Sequence, residues 1–358
     1  MKNNSLDASP SNDTTCAFIS DPVPSVYIRQ SLTALALLAS LIGNIMVLRA
    51  VSTIPGRKSL VYLLVANLAA SELGQVVVQP FILYYEETWG QNDGWVFGQA
   101  MCKIILVFNT LFLANIIITL AAIAVYRCLI MYSPSRRVLP FHTKILLISF
   151  WCVATGIALP QAVIIEMAPC PTYPNIKNCC FTKDQRSYNI YIVFWNVVVQ
   201  YIPLAIIVVA YSLVAIKIRR HVINKGITRS QDESSQNSYQ GVSFNPRSQP
   251  KAELKMHSRN AVSTSQVSKP RNEIVEMENN LLKMMYLIVV SFIIFYVPYP
   301  ILLVLYHYGI TKCWKYNGIV AIYASTLLRN LPSALHPLLY GTKSKFFAKA
   351  FWHLVTCK

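Results

Sequence analysis

Apolar residues gather into seven long runs, approximately 28–52, 60–84, 100–131, 144–166, 189–218, 281–307 and 316–340, separated by polar stretches. Each is long enough to carry an α-helix across a bilayer core, which takes roughly 20 residues. The third run organises the chain. It opens on Trp95-Val96-Phe97-Gly98, passes Cys102, and stays mostly apolar to Tyr126-Arg127-Cys128. A continuous helix from Cys102 to Arg127 would span ~37 Å at the α-helical rise. That exceeds the ~30 Å hydrocarbon core. A tilted transmembrane helix is predicted, with a disulfide-competent cysteine at one tip and a cation at the other.

Seven spans place the two termini on opposite sides of the membrane, and the basic residues decide which side is which. Arg57 and Lys58 follow the first run, Arg136, Arg137 and Lys144 the third. Lys217, Arg219 and Arg220 follow the fifth, Lys343, Lys345 and Lys349 the seventh. These turns share one face, which the positive-inside rule makes cytoplasmic. The N-terminus is then extracellular, and the sequons at Asn3 and Asn12 become usable glycosylation sites. The first 29 residues are polar, with no basic stretch leading into an apolar core, so no cleaved signal peptide is expected.

The domain reading follows. Residues 1–27 form a glycosylatable N-terminal segment and 28–340 the bundle. Residues 221–276, rich in Ser, Asn, Gln, Lys and Arg, read as a disordered third cytoplasmic loop. Residues 341–358 form a short tail in which Phe346, Phe347, Phe351, Trp352 and Leu354 alternate with lysines, so an amphipathic helix should lie against membrane lipid. The fold class is an all-α membrane protein, a seven-transmembrane helix bundle with a cytoplasmic amphipathic eighth helix.

Composition narrows the function. The chain is 54% hydrophobic and only 13% charged, against about a quarter charged in soluble domains. A soluble protein is thereby excluded. The net charge of +17 would suit nucleic acid, but its bases cap apolar runs, so no nucleic-acid partner is expected. No metal-ligand cluster, phosphate-cradling glycine loop or nucleophile beside a base occurs in a suitable context. Neither catalysis nor a cofactor is expected. Six of the nine cysteines, Cys16, Cys102, Cys170, Cys179, Cys180 and Cys313, fall on the oxidising side. Six cysteines permit 15 pairings.

The order and spacing of several residues add a resemblance. Gly43-Asn44 lies in the first span and Asn67-Leu68-Ala69-Ala70-Ser71-Glu72 in the second; Trp95-Val96-Phe97-Gly98 precedes Cys102. Trp151 and Pro160 mark the fourth span, Pro203 and Tyr211 the fifth, Phe292 and Pro298-Tyr299 the sixth. Pro337-Leu338-Leu339-Tyr340 marks the seventh. Together these resemble the rhodopsin-like (class A) G-protein-coupled receptors over nearly the whole chain. The departures are specific. The usual Asp/Glu-Arg-Tyr triplet is Tyr126-Arg127-Cys128, the sixth-span Cys-Trp is Phe295-Tyr296, the seventh-span Asn-Pro is His336-Pro337, and the second-span Asp is Glu72.

The resemblance implies a plasma-membrane receptor that turns binding of an extracellular ligand, a peptide or small molecule, into heterotrimeric G-protein activation. A scavenging receptor that does not couple is the alternative implied by the altered triplet. Arg127 would be the activation switch, with Glu278 where a restraining sixth-helix acid would lie and Tyr211, Tyr296, Pro298, Pro337 and Tyr340 as accessory parts. Tyr126 supplies no negative charge near neutral pH, so one restraint is missing and basal activity should be raised. Asn44, Glu72 and His336 would form a polar core. Ile116 stands where sodium-binding relatives carry a serine, which leaves Glu72 with His336 as an alternative partner and predicts insensitivity to sodium. Cys102 would be bridged to Cys179 or Cys180. Ligand-pocket candidates are Gln79, Asn109, Phe112, Gln200, Tyr299, Tyr323 and Arg329. Asn109 stands where amine receptors carry an aspartate, which argues against a monoamine. Arrestin would read phosphosites in the Ser/Thr-rich stretch 228–268.

Overall fold

A computed structural model describes residues 23–54, 60–88, 94–133, 140–169, 177–181, 185–239, 286–307 and 315–356. Asn3, Asn12, Cys16, Cys170, Glu278, Cys313 and residues 240–276 of the predicted loop lie outside them, as do the side chains of Cys180 and Tyr323. The elements in chain order are α1 (Val23–Ser52), α2 (Leu60–Thr88), α3 (Gly98–Tyr132), α4 (Pro140–Ile164), β1 (Ile165–Pro169) and β2 (Lys177–Phe181). Then come α5 (Gln185–Trp195), a π-helical turn (Asn196–Tyr201), α6 (Ile202–Tyr239), α7 (286–296), α8 (Pro298–His307), α9 (Lys315–Lys343) and α10 (Lys345–Thr356). Among the described residues, five stretches are long and apolar enough to cross a membrane: Tyr27–Ser52, Leu60–Tyr85, Gly98–Tyr132, His142–Ile164 and Asn189–Arg220.

Three boundaries differ from expectation, each for a local reason. Helix α1 begins at Val23, inside the segment assigned to the N-terminus, because a proline in the first helical turn (Pro24) loses no hydrogen bond. The fifth span does not stop near residue 220 but continues as α6 to Tyr239, into the stretch 221–276 read as a loop. Extending an existing helix adds one bond per residue without a new nucleation step. The sixth run is not one helix. It breaks at Val297, before Pro298, whose missing N–H and ring oppose a continuous ladder. Pro203 acts similarly on the fifth span, where the Ile202 N–H donates to Val197 O, an i−5 bond.

By packing, the chain divides into two compact units, Met1–Gly43 with Ile288–Leu338, and Asn44–Leu287 with Leu339–Lys358. In the first, α1 approaches α9 at Gly43: a methyl group there would sit 2.5 Å from Pro337 Cβ and 2.6 Å from Cγ. Pro337 and glycine are thus complementary surfaces. Phe292 and Tyr296 stack with ring centroids 4.6 Å apart.

In the second unit α3 is central, buried along its length from Cys102 to Arg127. Glycine again permits close approach, since a Cβ on Gly74 of α2 would overlap the Phe112 ring of α3. A Gly74→Val change should therefore lower the unfolding temperature of the purified protein, overpacking costing about 1–3 kcal/mol. An unchanged transition would sink this account. Helix α10 docks through Phe347, which is fully buried against Tyr340 (5.2 Å) and Phe351, while Phe346 meets Tyr62 edge-on at 5.6 Å. Its opposite face leaves Trp352 and Val355 exposed, as expected of a helix resting on lipid.

Candidate functional site

At one end of α3 the backbone is pinned to a hairpin. Strands β1 and β2 pair antiparallel, with Met167 opposite Cys179 and Glu166 opposite Cys180. Successive strand residues face opposite sides, so only one of the adjacent cysteines can meet α3. It is Cys179, bridged to Cys102 across 77 residues. Trp95 seals the junction. Its N–H donates to Lys177 O (3.1 Å) and its indole to Gly98 O (2.9 Å), and its ring contacts Tyr84 (6.0 Å), Tyr85 (6.4 Å) and Phe97 (5.2 Å). The turn requires glycine, since Gly94 and Gly98 have φ of 63° and 78°. This explains the Trp-x-Phe-Gly stretch physically: an aromatic plug followed by a left-handed start to α3.

In mid-helix, a polar network joins α2, α3 and α4. The Trp151 indole donates to Asn67 Oδ1 (2.9 Å), and Asn67 Nδ2 donates to Thr119 Oγ1 (2.8 Å). Asn115 Nδ2 donates to Ser71 Oγ (2.9 Å). Asn67, Ser71 and Trp151 were legible as motif residues, whereas Asn115 and Thr119 were not. The available signal was their i, i+4 spacing on one face of an otherwise apolar helix. Glu72 and Asn44 are buried in this unit and His336 in the other. All three are withdrawn from solvent, the condition under which an ionisable group in a membrane faces a polar partner.

Nearer the disulfide, Gln75 Nε2 donates to Asn109 Oδ1 (2.6 Å) and Gln79 Oε1 (3.3 Å). Two predicted pocket residues, Gln79 and Asn109, are thus joined by Gln75, which sequence reasoning missed although it lies one turn from Gln79. Phe112 stacks on Phe108 (5.8 Å) and meets Trp151 edge-on (6.2 Å). Thr110 donates to Gln161 Oε1 on α4 (2.5 Å). Gln200 is half-buried in the π-helical turn. In the other unit the Arg329 guanidinium lies 4.2 Å from the centroid of the Tyr299 ring. A tyrosine face attracts a cation electrostatically through its ring quadrupole.

The other end of α3 carries Arg127, about nine-tenths buried. Its guanidinium lies 5.5 Å from the Tyr211 ring centroid on α6 and 5.7 Å from that of Tyr286 on α7. The two tyrosine rings meet edge-on at 5.4 Å. Arg127 is therefore held against a pair of aromatic rings, a clasp made from one side. Tyr126 is half-buried beside it. One turn further, the Tyr132 hydroxyl donates to Leu213 O (3.1 Å) and Lys217 lies over its ring at 4.5 Å. Tyr286 was not foreseen. It lies within the sixth run (281–307), where pattern gives no hint that it reaches α3. The Tyr340 hydroxyl is buried and makes no hydrogen bond among the described residues.

The sequence profile of the family described as 7 transmembrane receptor (rhodopsin family) matches residues 43–340. The chain is 26% identical over 223 residues to a gonadotropin-releasing hormone receptor of Octopus vulgaris, covering 58% of this chain and 53% of that one. It is 25% identical over 183 residues to a high-affinity lysophosphatidic acid receptor of Xenopus laevis, covering 51% and 48%. It thus spans about half the length of the curated relatives it matches. Squid rhodopsin superposes with a TM-score of 0.65 at 16% identity, covering 95% of this chain and 89% of that one. That likeness concerns the fold: a seven-transmembrane bundle. The chain belongs to the rhodopsin family of seven-transmembrane receptors, multi-pass membrane proteins that act as receptors rather than enzymes.

Proposed function

We propose that this chain is a plasma-membrane receptor, N-terminus outside, that converts binding of an extracellular ligand into activation of a heterotrimeric G protein. The observation that carries the reading is the clasp on Arg127. The arginine sits against Tyr211 of the fifth span and Tyr286 of the sixth, so parting those two rings from it would free it for a cytoplasmic partner. Ligand binding acts by population shift, since a ligand moves the equilibrium only by its differential affinity for the two states. Tyr340 belongs to the same switch: its buried hydroxyl makes no hydrogen bond among the described residues, and any rearrangement that supplies a partner is stabilised. Pro298, Pro337 and Tyr296 support it as helix-break and packing residues. Glu278, when within reach of Arg127, would add an ionic restraint. Arrestin would read the Ser/Thr-rich stretch 228–268, which phosphosite mapping after stimulation addresses.

The ligand reading leans toward a peptide. The bridged outer hairpin with its aromatic plug supports it, and one relative's name is that of a hormone receptor, although another's is that of a lipid receptor. The test is ligand-free activation of a panel of G-protein sensors, wild type against Arg127→Ala. A basal signal that falls to background in the variant at equal surface level is expected. A signal that survives the substitution would exclude Arg127 as the switch. The competing scavenger reading predicts a ligand that binds and is internalised with no sensor responding.

A further inference from the structure

Resting on the receptor reading above, one cluster specifies ligand chemistry more closely. Gln75 and Gln79 lie one turn apart on the disulfide-side half of α2 and share a hydrogen-bonded chain with Asn109 of α3. Gln79 is fully buried. Two polar atoms of this chain, Gln75 Oε1 and Gln79 Nε2, are buried with no hydrogen-bond partner among the described residues. A buried polar atom left unmatched is destabilising, more so where lipid rather than water surrounds the bundle. What remains unmatched is one acceptor and one donor on neighbouring side chains. Turning the amides end for end exchanges which residue holds which, and still leaves one of each.

The complement of that pair is narrow. A carboxylate offers acceptors only, and an ammonium offers donors only. A trans peptide bond carries both, but its N–H and C=O point to opposite edges. A primary carboxamide presents an N–H and a C=O along the same edge, and it is uncharged. The amide cluster is uncharged as well; the nearest acid on α2, Glu72, is one turn below Gln75, away from Gln79. We infer that Gln75 and Gln79 receive a primary carboxamide of the ligand, its oxygen accepting from Gln79 Nε2 and its N–H donating to Gln75 Oε1. A peptide ending in a C-terminal amide and a small carboxamide share this chemistry.

The test uses the full chain in lipid nanodiscs and a short-peptide library lacking Asn and Gln, made once with C-terminal carboxamides and once with free carboxylates. A parallel set of aryl carboxamides and their acids separates a small-molecule source from a peptide one. Thermal unfolding is the readout. Either carboxamide set should raise the transition at concentrations at least tenfold below its acid counterpart. Gln79→Leu should abolish that difference, because it removes the N–H that donates to the carboxamide oxygen. Equal response to amides and acids, no response to either, or a preference for amides that survives in Gln79→Leu overturns the assignment. None of those outcomes bears on the receptor reading, which the Arg127→Ala sensor measurement decides separately.

Discussion

Replacing Cys102 by serine should remove most of the folded protein from the cell surface. The bridge to Cys179 closes a loop with a sequence separation of 77 residues. For a soluble chain the loop-closure estimate is ~4.5 kcal/mol. Here the inserted helices already restrict the loop, so a loss of about 2–4 kcal/mol is the better expectation. That is a large part of the margin of a typical domain, about 5–15 kcal/mol. The damage should also be local. The hairpin holds Lys177, whose carbonyl anchors Trp95, and the buried cluster includes Val78, Ile82, Ile105 and Ile165. Surface labelling against total expression, with the Cys179→Ser variant alongside, is the measurement. Cys179→Ser should match Cys102→Ser. Near-normal surface levels in both would mean that the aromatic plug alone holds the hairpin.

The second large effect concerns basal signalling. Tyr286→Leu should raise ligand-free G-protein activation about fivefold, while Tyr286→Phe should leave it near wild type. Leucine removes the ring that faces Arg127, and phenylalanine keeps it. A cation–π contact contributes roughly 0.5–2 kcal/mol. Tyr286 is 45% exposed, which places its share near the lower half, about 1 kcal/mol, or about fivefold in the equilibrium between states. Installing an acid beside the arginine, Tyr126→Asp, should act in the opposite sense by restoring a restraint that the triplet lacks. A Tyr286→Leu protein with lowered basal activity at equal surface level would show that the clasp holds the active arrangement. The sign of that one change separates the two roles.

Much of the architecture was legible from residue pattern, and the reason is physical. A bilayer demands a minimum length of apolar helix and leaves the backbone no alternative way to satisfy its hydrogen bonds. Hence the runs 60–84 and 100–131 correspond closely to α2 and α3. The same logic made Arg127 conspicuous, as a cation at the end of a long apolar run. Local rules were legible too, though their consequences were not drawn. Pro298 and Pro203 each disturb the helix just before them, giving the break at Val297 and the π-helical turn Asn196–Tyr201.

Long-range pairing was not legible. Nothing in Cys179-Cys180 says which sulfur meets Cys102; strand register, with Cys179 opposite Met167, decided it. Nothing in the sixth run marks Tyr286 as half of a clasp, because the partner ring, Tyr211, lies 75 residues earlier and meets it only through packing. Gln75 read as one polar residue in an apolar helix until its amide was seen between Asn109 and Gln79. Sequence by itself determined where the long apolar runs lie and, as an expectation, their sidedness, since these follow from solvent preference summed along the chain; the family followed from the order and spacing of motif residues. Tertiary structure alone decided the partners of Cys102, Arg127 and Gln79, because pairing energy belongs to two distant residues and is invisible in either one.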